Sequence, residues 1–381
     1  MMPTKIKLTH LVLDMDLGGL RRLISQMVPV MARDVFDVNV VCMNRKGCFG
    51  NQLEADGFNV KLLQKNQKRA DLWYPVRLAH YLRKRKTDIL HMHAGTFIFG
   101  ALAGSLAFTP ATIYTEHGRA VVDSLVRHVE DRIAVKLVNR LVPVSDDLKD
   151  VLIERIGAPP HKLTTIINGI ATDLFIPRSK PRALLEEFSI SDKCRVIGTV
   201  ARLDAIKDQL SMIKAFELVA GRINDCRLIL VGDGPMRDEL EEYISTRGLQ
   251  RQVIITGQRS DVPEFLNLFD LFVLSSLSEG TSMSLLEAMA SGVPAVVTGV
   301  GGNPAIVTHE IDGLVVEPSD PAALADAILR LLSDENLLRI FSERSAAKVR
   351  RDFSIERMTE NYCRLYLEIL HAKRRFVDVQ L

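Results

Sequence analysis

Short runs rich in Val, Ile and Leu recur along the chain, and stretches with apolar positions three and four residues apart lie between them. That alternation is the pattern of parallel sheets covered by helices, so the expected fold class is α/β. In the first half the runs predict strands at Lys5 to Leu13, Phe36 to Met43, Asn59 to Leu63, Asp88 to His93, Ala111 to Thr115 and Arg140 to Val144. Helices are expected at Leu20 to Ala32, Tyr74 to Arg85 and Ser124 to Val138. In the second half strands are predicted at Arg195 to Val200, Arg227 to Val231, Val253 to Thr256, Leu271 to Leu274, Ala295 to Thr298 and Gly313 to Val316. Each is followed by a helical or turn segment, so this half reads as a second doubly wound unit.

The rhythm lapses around Pro177 to Asp192, where Pro177 and Pro181 alternate with Arg178, Lys180 and Arg182. The expected division is therefore 1–178 for an N-terminal domain, 179–192 for a linker, 193–352 for a C-terminal domain and 353–381 for a final helix and tail. From Phe353 to Arg374, Met358, Tyr362, Leu365, Tyr366 and Ile369 repeat at helical spacing. Ligands of open parallel sheets sit beyond the carboxyl ends of the strands, so the chemistry is to be sought in the loops that follow strands.

Composition narrows this picture without redirecting it. The 381 residues suit two domains, and 47% apolar with 25% charged residues is ordinary for a globular protein. Five scattered cysteines with no Cys-x-x-Cys pair suggest neither a zinc site nor a redox centre, and they fit a reducing cytoplasm. Asp14 and Asp16 cut the first apolar run to a strand's length, against a signal peptide. The uncharged stretch Ala94 to Thr115 has the length of a membrane span, but Gly95, Gly100, Gly104 and Pro110 favour a buried helix, a turn and a strand. Residues 1–178 hold 25 Lys or Arg against 17 Asp or Glu, a balance of +8, and the remainder holds 24 against 30, a balance of −6. The excess concentrates between Lys61 and Lys86, notably at Lys65, Lys68, Arg69 and the run Arg83 to Lys86. One reading is a solvated helix face, and the other a surface for anionic lipid headgroups. Few aromatic residues lie nearby for base stacking, so nucleic acid is not an expected partner.

The strongest motif runs from Ser278 to Pro294. Glu279 and Gly280 follow an apolar strand, and a helix is expected to start near Thr281 or Ser282, both good caps. Its free N–H groups suit a diphosphate. Glu279 in the loop and Glu287 about two turns into the helix offer carboxylates that accept from sugar hydroxyls. A second loop, Val200 to Lys207, places Arg202 and Lys207 after a strand, two cations able to neutralise a diphosphate. Gly232-Asp233-Gly234-Pro235 closes a further strand and permits a tight turn or a close approach, and Gly299 to Pro304 offers more backbone N–H groups. In the first half Gly18-Gly19 joins a strand to a helix, where a diphosphate or an acceptor can approach the backbone. His91 and His93 share one side of a strand, but no cysteine or carboxylate partner is evident for a metal site.

Together these residues resemble the retaining glycosyltransferases of family four, with the GT-B fold. The match rests on Arg202 with Lys207, Gly232-Asp233-Gly234-Pro235, Glu279 with Glu287, and Gly301-Gly302, in the family's order. The resemblance implies two facing Rossmann-like domains with a cleft between them and a C-terminal helix packed back on the N-terminal domain. It implies that Arg202 and Lys207 bind the donor diphosphate, that Glu279 holds hydroxyls of the transferred sugar, and that Glu287 holds the ribose. Gly280, Thr281, Ser282, Met283, Ser284 and Leu285 would donate from their backbone to sugar and phosphate, with Gly18 and Gly19 also on the donor side. Thr115-Glu116-His117-Gly118 looks like the family segment whose histidine touches the donor sugar, which makes His117 a catalytic candidate beside Glu279, Arg202 and Lys207. No cofactor is implied, and metal-independent transfer from a nucleotide-sugar donor is expected, UDP-linked or else GDP-linked, to a glycan or lipid-linked acceptor in cell-surface polysaccharide or glycolipid synthesis. The expected place is the cytoplasm, with peripheral contact at the inner face of the cell membrane as an option. Alternatives are a sugar-nucleotide epimerase or other GT-B enzyme, and a non-catalytic sugar-nucleotide-binding protein. The sequence departs from the family pattern at Arg21, Ala171, Asp208 and Ala305, and Arg21 bears on the acceptor.

Overall fold

The computed structural model describes residues 5–16, 18–31, 35–66, 71–118 and 125–378. The chain divides into two compact units, Met1–Gly169 with Ile355–Leu381, and Ile170–Ser354.

The first unit is built on β1 (Ile6–Asp14), β2 (Phe36–Arg45), β3 (Asn59–Leu62), β4 (Ile89–His93), β5 (Ala111–Glu116) and β6 (Arg140–Pro143). They form one sheet in the order β3-β2-β1-β4-β5-β6, with every neighbouring pair parallel. The central strands β4 and β5 are buried along their whole length, as strands covered on both faces must be. On one face the helices Tyr74–Arg85 and Phe97–Ala107 pack Leu78, Leu82 and Ala101 onto Leu11, Leu90 and Met92. Gly100 allows this close fit, since a Cβ there would stand 2.5 Å from the Met92 side chain. The uncharged stretch around 94–115 is thus a core helix followed by β5, and no described helix is long and apolar enough to cross a membrane.

The second unit repeats the plan with β7 (Arg195–Val200), β8 (Cys226–Val231), β9 (Val253–Gly257), β10 (Leu271–Leu274), β11 (Ala295–Thr298) and β12 (Leu314–Val316), in the order β12-β11-β10-β7-β8-β9. All its pairs are parallel. In both sheets the chain lays three strands to one side, then returns to the middle and builds to the other. This leaves a switch point between β1 and β4 and another between β7 and β10.

The unit edges differ from the expected 178 and 353. The stretch expected as a linker, 179–192, folds with the second unit and contains the helix Arg182–Glu187. Two of its charges are paired there, Lys180 with Asp270 at 2.6 Å and Glu187 with Arg259 at 2.8 Å, and its apolar residues Leu184, Leu185 and Ile190 are buried. The final helix, Ile355–Asp378, belongs to the first unit. Met358, Tyr362, Leu365, Tyr366 and Ile369 are all buried, and the Tyr366 hydroxyl lies 2.6 Å from His91 Nδ1.

Candidate active site

At the switch point of the second sheet, the loops after β7 and β10 meet. The backbone N–H of Leu277 donates to the Ile206 carbonyl at 2.8 Å, and the Ser275 hydroxyl donates to the carbonyls of Lys207 and Asp208, both at 2.9 Å. This lacing brings Lys207 to Glu279, 72 residues apart in sequence. Lys207 Nζ lies 2.5 Å from Glu279 Oε1, and the Ser276 hydroxyl donates to the same oxygen at 2.6 Å. The Glu279 side chain is 7% exposed and that of Lys207 23%. A pair this shielded from water interacts more strongly than a surface pair.

Arg202 lies earlier on the same loop, its guanidinium paired with Asp204 and its side chain mostly exposed. Asp204 caps the short turn Ala205–Lys207 by accepting from the Ile206 N–H. That backbone bond, opposed by burial and helped by Arg202 and Lys207, holds the Asp204 carboxyl below its ordinary range. The next residue after the turn, Asp208, sits at φ +46°, where glycine is the least strained residue. Its carboxylate accepts from the Ser211 N–H at the start of the helix Gln209–Ala220. The departure at 208 therefore exchanges backbone ease for a helix cap.

The sequence places a helix start near Thr281 or Ser282, and the helix is Met283–Ala290 with Ser282 accepting from the Leu285 N–H as its cap. Glu287 lies on it, 8% exposed, and Leu285 is fully buried. Gly280, Thr281, Met283 and Ser284 are partly exposed around the helix start, where the dipole of a helix favours an anion.

The two glycine motifs act between loops. A Cβ on Gly232 would stand 1.9 Å from the Ala201 carbonyl oxygen, and one on Gly234 would stand 2.2 Å from that of Leu203. The loop after β8 thus presses on the loop bearing Arg202. Likewise Gly301, at φ +54°, would bring a Cβ to 1.8 Å from the Glu279 carbonyl oxygen, and the Gly302 N–H donates to Gly280 at 3.0 Å. Thr298, unnoticed in the sequence, donates from its hydroxyl to the Ser276 carbonyl at 2.6 Å and helps fix the same loop. Ser276 was also missed, although a polar residue two after a buried strand and three before Glu279 was a usable signal.

In the first unit, Gly18 at φ +142° leads into the helix Gly19–Met31. Arg21 turns back to the end of β1, with Nε and Nη2 at 3.2 and 3.3 Å from the two Asp14 oxygens. Burial raises the Asp14 pKa, but these bonds and the Asp16 N–H outweigh it and leave the carboxyl below its ordinary range. His117 follows β5 and is partly exposed. Its Nε2 lies 3.2 Å from His93 Nδ1, and burial brings its pKa down to about 3, so it is neutral at physiological pH. The sequence paired His91 with His93. The structure adds His10 from β1, with ligand-type nitrogens of all three within 4.8 Å of one another.

The glycosyl transferases group 1 family matches residues 182–348, and glycosyltransferase family 4 matches residues 17–174. The chain belongs to this glycosyltransferase family. This family 4 glycosyltransferase is 29% identical to the UDP-Gal:alpha-D-GlcNAc-diphosphoundecaprenol alpha-1,3-galactosyltransferase of Escherichia coli, over 97% of this chain and 99% of the relative. It is 28% identical to the N-acetyl-alpha-D-glucosaminyl L-malate synthase of Bacillus anthracis, over 79% and 80% of the two chains. Its fold matches that of HepE of Anabaena in complex with UDP-glucose, with a TM-score of 0.79 at 22% identity over 96% of this chain and all of the other. The family 4 glycosyltransferase is thus an enzyme with the GT-B fold, as the resemblance implied, and its α/β class is the one that the alternation of strands and helices implied.

Proposed function

We propose that this glycosyltransferase moves a hexose from a UDP-linked donor to a polyprenyl diphosphate-linked glycan, with retention of anomeric configuration. The observation that carries the donor half is the Lys207–Glu279 pair at the switch point between β7 and β10. Both bonds to Glu279 fall on Oε1, which leaves Oε2 for sugar hydroxyls. Lys207 has further N–H donors for the diphosphate, Arg202 adds an exposed guanidinium, and the capped helix start at Ser282 adds backbone N–H groups. Glu287 takes the ribose. As the bond from the anomeric carbon to the β-phosphate oxygen breaks, these cations meet the charge growing on the leaving diphosphate. The acceptor oxygen forms the new bond on the same face, and its proton passes to the departing phosphate oxygen. No resident metal is needed for that charge balance.

The lipid-linked acceptor is supported by near full-length similarity to the Escherichia coli enzyme, whose name gives UDP-Gal and a diphosphoundecaprenol-linked sugar. The place of action follows as the inner membrane face. There Lys61, Arg83, Lys84 and Lys86 are exposed, together with Leu72, Trp73 and Phe108. Lys68 and Arg69 lie outside the described residues. Arg85, expected among the free charges, is turned to Asp37 at 2.9 Å and is not one of them. The test is incubation with UDP-galactose, UDP-glucose, UDP-N-acetylglucosamine and GDP-mannose, each with a short-chain prenyl diphosphate glycan. An α-linked product from a UDP-hexose, read by proton NMR at the anomeric position, is expected. A β-linked product, or an epimerised nucleotide sugar formed without acceptor, would overturn the proposal.

A further inference from the structure

The two cations after β7 each stand against a carboxylate of the same unit, and the two pairs are built differently. Lys207 and Glu279 are both largely shielded from water, whereas the Arg202 side chain is 68% exposed and that of Asp204 25%. An exposed pair breaks at little cost, so Arg202 can leave Asp204. Asp204 cannot follow it. Its Oδ1 accepts from the Ile206 N–H at 3.3 Å while Oδ2 takes the Arg202 guanidinium, so one oxygen ties the carboxylate to the turn and the other is offered to the cation. The backbone beneath is fixed as well. The Ala201 and Leu203 N–H groups donate to the Val231 and Asp233 carbonyls, both at 3.0 Å, and Gln209 Nε2 donates to the Arg202 carbonyl at 2.8 Å. What is left to move is the Arg202 side chain.

A diphosphate at this loop and the Asp204 carboxylate therefore compete for one guanidinium. The Ile206 N–H, with Arg202 and Lys207 behind it, holds the Asp204 carboxyl below its ordinary range against burial, so its charge persists at neutral pH. The competition bears unequally on donor and product. In a sugar-linked diphosphate each phosphate carries one charge. Once the anomeric bond breaks, the terminal phosphate is a monoester with a second pKa of about 6, and it gains most of a further charge at pH 7. Attraction to a cation grows with ligand charge, so Arg202 and Lys207 unopposed would hold the product more tightly than the donor, and slow release would then limit turnover. A fixed carboxylate beside Arg202 opposes the more highly charged product most.

We propose that Asp204 is a positioning residue for product release, taking Arg202 back after transfer and so limiting the hold of the site on the nucleoside diphosphate. The proposal rests on the reading above in which Arg202 and Lys207 bind the donor diphosphate. Asp204→Asn keeps an oxygen for the Ile206 N–H and removes the charge. Calorimetric titration of the full chain with UDP at low salt should show binding at least about threefold tighter in this variant, and the gain should shrink at high salt. In steady-state kinetics the inhibition constant of UDP should fall by a larger factor than donor KM. A residue that merely shaped the turn would leave UDP binding unchanged or weaker when altered. Either result, or equal shifts in the inhibition constant and KM, would overturn the release role. Arg202→Ala and Lys207→Ala test the reading beneath it. If both bind UDP as the wild type does, or if the wild type binds no UDP, the donor reading fails and the release role with it. If both lose UDP affinity while Asp204→Asn gains none, only the release role fails.

Discussion

Glu279 accepts from Lys207 and Ser276 on one oxygen, so a single atom sets the aim of the whole carboxylate. Glu279→Gln keeps the size and removes the charge, which weakens the hold on Lys207 and the acceptor strength toward sugar hydroxyls. We expect a fall in kcat/KM of at least about tenfold, about 1.4 kcal/mol in barrier. The melting temperature should move little, because Lys207 is near enough to the surface to turn to water. Lys207→Ala should lose a similar amount, and steady-state kinetics beside a thermal melt would check both. Wild-type kcat/KM in both variants would remove the pair from the active site. Glu279 and Lys207 were legible because each follows an apolar strand within a run of polar and glycine residues. His10 was not. It is a lone histidine inside β1, and its partner His93 stands 83 residues away on a strand whose place beside β1 is known only once the sheet order is known.

At the scale of elements, the loops after β7, β8, β10 and β11 work as a laminate in which backbones touch. Gly301 is its tightest point, with positive φ and no room for a methyl group against Glu279. Gly301→Ala must push the loop after β11 away from the loop after β10 and carry Glu279 with it. We expect donor KM to rise and kcat to fall, together at least about tenfold in kcat/KM. The sheet core should hold, since β10 and β11 pair through Phe272, Val273 and Leu274 below the loops. Far-ultraviolet circular dichroism alongside kinetics would separate these effects, and unchanged kinetics would mean that the loops are not coupled. Strands were the most legible elements, because a strand covered on both faces is a run of apolar residues with no competing period. Unit edges were less so. Pro177, Pro181 and the charges around them look like a linker in sequence, yet Asp270, some 90 residues on, satisfies Lys180, and buried Leu184 and Leu185 pin the segment to the second unit. The glycine pairs declared a need for space but not what fills it, which is the neighbouring loop's backbone.

For the whole molecule, charge is divided along the chain, +8 over residues 1–178 and −6 over the rest, so only the first part is drawn toward an anionic surface. Attraction alone would be weak and salt-sensitive, since each Lys or Arg near such a surface contributes about 1 kcal/mol. Apolar side chains add a second term if they enter the headgroup region, and Leu72, Trp73 and Phe108 are 81%, 72% and 83% exposed. Arg83 stands over the Phe108 ring at 5.5 Å, which places one cation beside one of these aromatics. Trp73 is the only tryptophan in the chain, so its fluorescence reports this region without labelling. Titration with vesicles containing phosphatidylglycerol should shift its emission to the blue and raise its intensity, while neutral phosphatidylcholine vesicles should leave it unchanged. Replacing Lys61, Lys84 and Lys86 by Gln removes three exposed charges without touching the Arg85–Asp37 pair, and should weaken binding by about 3 kcal/mol, on the order of a hundredfold, at low salt. Trp73→Ser, followed by vesicle co-sedimentation, should reduce the binding that survives high salt, because the apolar term is not screened. A Trp73 spectrum indifferent to both lipids would place the lipid-linked acceptor's approach elsewhere on the protein.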